Sequence, residues 1–258
     1  MAYDYEYLKK EVLALTAIDL NCYKEKQMKR RIDTLISKHK IEGYDKYVQG
    51  LRSDKALFDE FVNYITINVS EFYRNPEQWK FMDEKVIPEL ISKFGKSLKI
   101  WSAACSTGDE PYSLVMALSK HLPLNSIKIY ATDLDKQVIA KAKVGLYAEK
   151  SVESVPADLK SKYFTKVGPS YKIADEIKAR VEFKEHNLLK DTYPTDYHMI
   201  VCRNVLIYFT EEAKDEVFRK YFNSLAKGGV LFIGSTEQII NYKEIGYERK
   251  NSFFYQKP

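Results

Sequence analysis

Hydrophobic and polar positions repeat with two different periods along this chain, and the change of period divides it. Up to about residue 67 the apolar residues recur at helical spacing only. Met28, Ile32, Leu35 and Ile36 fall at i, i+4, i+7 and i+8, one stripe of a helix. Tyr44, Tyr47, Val48 and Leu51 repeat the pattern, and Leu57, Phe58, Phe61, Val62 and Ile65 do so again. A small helical bundle with short loops is expected. The polar run NVSEFYRNPEQW, residues 68–79, interrupts it. Within that run Pro76 suits the first turn of a new helix, with Asn75 as its cap. Trp79, Phe81, Met82 and Val86 would form that helix's apolar side.

From Lys96 the texture changes to short apolar runs alternating with amphipathic ones. LKIWSA, IKIYATD, MIVCRN and AKGGVLFIGS read as strands, the last opening with a turn. PYSLVMALSKHL, KQVIAKAKVG and EEAKDEVFRKYFNSL read as the helices between them, and SFFYQK closes the chain as an edge strand. This alternation predicts an α/β fold with a mostly parallel, doubly wound sheet. Such a sheet binds ligands at the carboxyl ends of its strands, where strand order reverses. Between Gly145 and about Asn187 the alternation breaks, and a Gly-Pro turn with the run YKIA predicts a small antiparallel insertion ahead of the strand VEFKEH. The expected division is a helical domain over 1–67, a linker and connecting helix over 68–95, and the α/β domain over 96–258 with its insertion at about 150–186.

Composition narrows the classes. With 258 residues, 45% hydrophobic and 30% charged, the chain is long enough for an ordinary core without staples. Cys22, Cys105 and Cys202 lie far apart with no metal or disulfide spacing, which fits a reducing compartment. No signal peptide and no apolar run near the ~20 residues of a spanning helix can be read. A cytoplasmic protein without membrane insertion is expected, and nothing suggests an obligate dimer, so a monomer is expected. The net charge of +5 is modest, but Lys24, Lys26, Lys29, Arg30 and Arg31 crowd one short stretch. That stretch is either a solvated helix face or a docking face for an acidic partner or a nucleic acid.

The candidate chemistry sits on loops after strands. In SAACSTGDEPYS, Ala103, Ala104, Ser106 and Gly108 are small enough for close approach of a ligand. With a single glycine this is not a dinucleotide fingerprint, and Asp109 and Glu110 favour a cationic ligand over a pyrophosphate, unless they only complement the helix N-terminus. Asp133 ends the second strand, where a carboxylate can accept ribose hydroxyls, while Asp135 fits a helix cap. Asn187 with Leu188 and Asn204 with Val205 each follow a strand, although Asn is also a common turn residue. Arg203 and Tyr208 flank the Asn204 loop. Cys202 ends a strand and reads as inert core. The four histidines, at 39, 121, 186 and 198, show no metal spacing, and no metal is expected.

Taken in order, NVSEFYRNPEQW, IWSAACSTGDEPYSL, IYATDLD, EFKEHNLL and VCRNVLIYF resemble the chemotaxis receptor methyltransferases, the CheR family. The resemblance covers nearly the whole chain. It implies a Rossmann-like methyltransferase sheet, S-adenosylmethionine as donor with S-adenosylhomocysteine as product, and receptor glutamate side chains as acceptors. It assigns Asn68, Ser70 and Arg74 to the cofactor pocket, with Ala103 in the first loop. Glu110 would face the methionine amino group and Asp133 the ribose. Asn187 with Leu188 would hold the adenine, and Asn204 with Val205 would line the methyl end. Arg74 and Tyr208 would border the transfer site. Ser70 and Tyr73 stand where members often carry Thr and Phe. The insertion matches a subdomain that in some members grips a receptor peptide. Lys24, Lys26, Lys29, Arg30 and Arg31 would meet the receptor.

Chemistry agrees with the resemblance. A glutamate acceptor is already ionised near neutral pH and needs no general base. A nucleic-acid methyltransferase is the first rival, but CRNVLIYF lacks the Pro-Pro of amino-group methylation, and the basic helix lacks interleaved aromatics. The second is a non-catalytic cofactor-binding module, against which Glu110, Asp133, Asn187 and Asn204 speak.

Overall fold

The computed structural model describes residues 3–258. It divides into two compact units, the chain up to Asn68 with Leu206–Glu216, and Val69–Val205 with Val217–Pro258. The expected helical domain thus acquires a returning segment from late in the chain, and its first two residues lie outside the described ones.

The first unit is built on α1 (Tyr5–Thr16), α2 (Glu25–Lys38), α3 (Tyr44–Ser53) and α4 (Lys55–Thr66). The stripe Met28, Ile32, Leu35 and Ile36 is buried, as are Tyr47, Val48, Leu51, Leu57, Phe61 and Ile65. Tyr44 stays at the margin and donates its hydroxyl to Asp33 at 2.7 Å. Asp54 caps α4 by accepting the N–H groups of Ala56 and Leu57 at 2.8 and 3.1 Å. The segment Leu206–Glu216 is tied in by backbone: Lys24 N–H donates to the Tyr208 carbonyl, and Thr210 N–H to that of Cys22, both at 2.9 Å. Tyr23 meets Phe209 edge-on at 4.9 Å.

The second unit opens with α5 (Pro76–Phe81), a wide turn over Met82–Val86 and α6 (Ile87–Phe94). The expected single helix is widened there for a local reason. Pro88 lacks an N–H and its ring crowds the carbonyl four residues back, so Ile87 N–H reaches to Met82 instead. Asn75 is not the side-chain cap expected at this helix: it has φ 61°, and its side chain makes no cap hydrogen bond. Its Oδ1 is taken by Arg203 at 3.1 Å.

There follow β1 (Ile100–Ala103), α7 (Asp109–Leu118), β2 (Ile129–Asp133), α8 (Lys136–Val144), β3 (Leu146–Ala148), α9 (Ala157–Tyr163), β4 (Phe164–Val167), β5 (Ser170–Ile173), α10 (Asp175–Lys178) and β6 (Val181–Glu185). The chain closes with β7 (Tyr197–Cys202), α11 (Glu211–Ser224), β8 (Leu225–Ile233), α12 (Tyr242–Ile245), β9 (Glu248–Arg249) and β10 (Phe254–Gln256). The main sheet runs β6-β2-β1-β7-β8-β10-β9. Its first five strands are parallel, and β10 is antiparallel to both its neighbours. The C-terminal strand is therefore internal, not the edge that the sequence suggested. The short β9 covers it, a pairing two residues long that no sequence period could reveal.

A separate antiparallel sheet, β3-β5-β4, is the insertion, turning at Gly168 and Pro169 and starting at Leu146. The core includes Phe72, Trp79, Tyr112, Met199, Phe232 and Phe254, all nearly or wholly buried. Strand order reverses between β1 and β7, and their carboxyl ends, Ala103 and Cys202, open the switch point. Removing the α4 cap with Asp54→Ala should lower stability by about 1 kcal/mol, read as a lower midpoint in urea unfolding; an unchanged midpoint would show that the cap bonds carry no net weight.

Candidate active site

The loop from β1 to α7 is tightly folded. Ala104 and Ser106 take φ of 155° and 46°, values that L-residues adopt only when neighbours hold them. Gly108 has φ 91°, and a Cβ there would lie 2.9 Å from both Ala142 and Tyr112, so glycine is required where α7 begins. Glu110, on the first turn, turns inward. Ser102 donates to its Oε1 at 2.8 Å, and Arg203 Nη1 lies 3.8 Å from Oε2. Burial raises this carboxyl from the usual 4.5 to about 6, against the lowering effects of Arg203 and Ser102. Beside it Asp109, 1% exposed, accepts from Thr107 Oγ1 at 2.6 Å and from the Ser70 hydroxyl.

Asp133 ends β2 on the same edge of the sheet. Its Oδ2 accepts Ser106 N–H at 2.8 Å and its Oδ1 accepts Asp135 N–H at 3.0 Å. Burial again dominates and raises it to about 6, although the backbone donors of Asp135, Ser106 and Leu134 oppose this. A carboxylate has about four lone-pair sites, so these three donors leave capacity for a ligand donor. Asp135 caps α8 through Gln137 N–H at 2.8 Å, as its position suggested.

Across the switch point the chain leaves β7 through Arg203 and Asn204. Asn204 has φ 60°. Glu237, from the loop after β8, holds this turn by accepting the N–H groups of Asn204 (2.9 Å), Val205 (3.0 Å) and Gly234 (2.7 Å). A Cβ on Gly234 would sit 2.7 Å from the Asn204 nitrogen, so this close approach requires glycine. Two buried acceptors, Ser106 Oγ and Asn204 Oδ1, have no partner among the described residues. Together with two buried carboxylates they form a pocket edge that asks for hydrogen-bond donors. S-adenosylmethionine, with an ammonium and two ribose hydroxyls, fits that demand, whereas a pyrophosphate does not. Cys202 and Cys105 are buried, and burial pushes both thiols well up, so neither serves as a nucleophile.

Ser70, Arg74, Ala103, Glu110, Asp133, Asn187, Leu188, Asn204 and Val205 all belong to the second unit. Arg74 is half-buried, and its Nη1 donates to the Val69 carbonyl at 3.4 Å, leaving further donors uncommitted. Asn187 and Leu188 follow β6. The Asn187 side chain accepts Leu189 N–H at 2.9 Å in its own turn, and the Leu188 carbonyl accepts from Tyr193 at 2.7 Å. Asn68 and Tyr208 belong to the other unit. Asn68 Nδ2 donates to Thr66 Oγ1 at 2.9 Å there, and roles for these two residues rest on the resemblance alone.

The basic run of α2 sorts into two kinds. Lys29 pairs with Asp33 at 2.6 Å, and Arg31 donates to the Tyr64 carbonyl while its guanidinium covers the Tyr64 ring. Lys26 and Arg30 are exposed and have no ion pair among the described residues. Three histidines meet a single carboxylate each: His39 with Glu60, His121 with Asp83, and His186 with Asp191. No cluster of three or more His, Cys, Asp or Glu suited to a metal occurs among the described residues.

Sequence reasoning missed Glu237 and did not foresee the reach of Arg203. Arg203 Nη2 donates to the Arg74 carbonyl (2.6 Å), Asn75 Oδ1 (3.1 Å) and Gln78 Oε1 (2.9 Å). Its only sequence signal is a charge continuing the apolar run of β7. Glu237 gave none, standing 33 residues from the turn it binds.

Two family models match this architecture: one described as CheR methyltransferase, SAM binding domain, over residues 68–252, and one as CheR methyltransferase, all-alpha domain, over residues 3–66. The chain belongs to the CheR methyltransferase family. A chemotaxis protein methyltransferase of Listeria innocua serovar 6a is 41% identical over 254 residues, 98% of this chain and 97% of that protein. Chemotaxis protein methyltransferase 1 of Pseudomonas aeruginosa is 32% identical over 250 residues, 92% of this chain and 91% of that protein. The counterpart in Borreliella burgdorferi is 30% identical over 243 residues, covering 89% and 86%.

The raised carboxyl of Glu110 has a measurable sign. Its folded form holds the proton more tightly than the unfolded chain does, so its contribution to stability falls as pH rises from about 4.5 through about 6. Glu110→Gln should therefore gain about 2 kcal/mol relative to the parent between pH 4 and pH 7, followed by urea unfolding at each pH. A difference that does not change with pH would show that the carboxyl is not raised.

Proposed function

We propose that this CheR family member transfers the methyl group of S-adenosylmethionine to glutamate side chains of bacterial chemoreceptors, forming glutamyl methyl esters. Relatives named chemotaxis protein methyltransferases, similar over nearly the whole chain, support the reading. The observation that carries it is the donor-seeking set at the carboxyl ends of β1, β2 and β7: Glu110, Asp133, Ser106 Oγ and Asn204 Oδ1.

When bound, S-adenosylmethionine supplies a methyl group activated by the sulfonium. Glu110 would hold its ammonium and Asp133 its ribose hydroxyls. Asn187 and Leu188 would hold the adenine, and Ala103, Ser70, Asn204 and Val205 would line the remainder. The acceptor glutamate arrives ionised, so no protein group has to remove a proton before its oxygen attacks the methyl carbon. What the enzyme must supply is orientation and exclusion of water. Arg74, with guanidinium donors to spare, is suited to hold a carboxylate by paired hydrogen bonds.

Receptor segments that carry acceptor glutamates are acidic. The exposed stripe of α2 with Lys26 and Arg30 offers complementary charge along a shallow groove of about 480 Å³, lined also by Lys29, Asp33, Thr34 and Ser37. Lys29 and Arg31 contribute less, because each is already committed within the helical unit.

The deciding assay adds the protein and tritiated S-adenosylmethionine to receptor-containing membranes. Label released by mild base, as from an ester, is expected; base-stable label would indicate N-methylation, and no label would sink the reading. Reversing charge with Lys26→Glu and Arg30→Glu should cut receptor methylation at least tenfold at low salt and leave S-adenosylhomocysteine affinity unchanged. Methylation that persists at the parent rate would reduce this stripe to a solvated face.

A further inference from the structure

We infer that Arg203 is a positioning residue that fixes where Arg74 stands. The inference rests on the reading that Arg74 handles the acceptor carboxylate. The Arg203 side chain is 3% exposed and cannot itself meet a receptor. Its Nη2 instead converges on one short stretch: the Arg74 carbonyl, Asn75 Oδ1 and Gln78 Oε1. The Arg74 carbonyl takes a second donor, Trp79 Nε1, at 3.0 Å. The guanidinium lies over the Trp79 and Phe232 rings, 5.7 and 4.7 Å from their centroids, which holds its plane.

This stretch needs such support. Tyr73 and Asn75, on either side of Arg74, have φ of 50° and 61°. Each is a left-handed conformation that a non-glycine residue adopts at a cost. Tyr73 N–H is held from the other side by Ser113 Oγ at 3.1 Å. The Arg74 backbone is thus clamped between α7 and the end of β7, while its side chain stays half-buried with free donors. The same guanidinium faces Glu110 through Nη1. One buried cation therefore touches both the residue proposed for the cofactor ammonium and the segment proposed for the acceptor. Lysine could keep the charge near Glu110, but it lacks the planar fork that serves several acceptors at once.

The test uses the full chain with Arg203→Lys and, separately, Gln78→Met, which removes one acceptor without touching charge. Three quantities are read: turnover and KM for receptor membranes, S-adenosylhomocysteine affinity by calorimetry, and backbone amide exchange over residues 72–79. Arg203→Lys should lose at least tenfold in turnover, consistent with the cost of small misplacements. Cofactor affinity should stay within about threefold of the parent, because the charge is kept. Gln78→Met should show a smaller loss of turnover with the same split. Amide exchange over 72–79 should quicken in both while that of the sheet strands does not. Unchanged exchange over 72–79 overturns the inference whatever the activity. Cofactor affinity falling in step with turnover also overturns it, because Arg203 would then serve the cofactor pocket alone. If Arg203→Lys does not fold, Gln78→Met decides. A parent protein that forms no base-labile product defeats the proposed reaction instead, and the exchange measurement still judges Arg203.

Discussion

A buried guanidinium at the switch point organises this half of the molecule. Taking an arginine out of water costs several kcal/mol unless its donors are matched. Here Arg203 meets three acceptors from 74–78 through Nη2 and the Glu110 carboxylate lies near Nη1, while its Nε has no partner among the described residues. The strand order makes this possible. Because β7 lies next to β1 and both run the same way, the residue after β7 faces the first turn of α7. The parallel register Ser102 to Val201 then places Ser102, the donor to Glu110, beside the strand that delivers Arg203.

Around this charge the acceptors are treated in two ways. Glu237 is saturated by three backbone N–H groups, so it acts as a fixed strut for the Asn204 turn. Glu110 and Asp133 are carboxyls whose burial outweighs the donors they have and raises both to about 6. A buried carboxyl whose desolvation exceeds what its donors return gains most from any further donor that reaches it.

The sequence revealed what depended on local period and left out what depended on contact. The helical stripes of α2 and α4 and the alternation from Lys96 onward were legible, because burial of one face leaves its period in the chain. The places of Asp133, at the end of β2, and of Glu110, in the first turn of α7, were legible because both are local features of the chain. The capping role expected of Asn75 failed: its side chain is drawn to Arg203, 128 positions away, and its backbone turns left-handed instead. The C-terminal strand read as an edge because only β9, a two-residue strand with both residues exposed, covers it. Glu237 left no trace because backbone N–H groups, its partners, look alike in every sequence.

The basic helix shows the same division in charges. Five cations between residues 24 and 31 read as one surface, yet their uses differ. Lys29 and Arg31 are drawn into the helical unit by Asp33 and the Tyr64 carbonyl, while Lys26 and Arg30 have no ion pair among the described residues. An exposed ion pair contributes little to stability, so pairing Lys29 gains the fold little and reduces its pull on an acidic partner. An unpaired surface cation gives up no such pair when a carboxylate arrives, and it adds to long-range attraction. The charge available for recognition is therefore set by which cations the fold leaves unpaired, and a count of lysines and arginines overstates it.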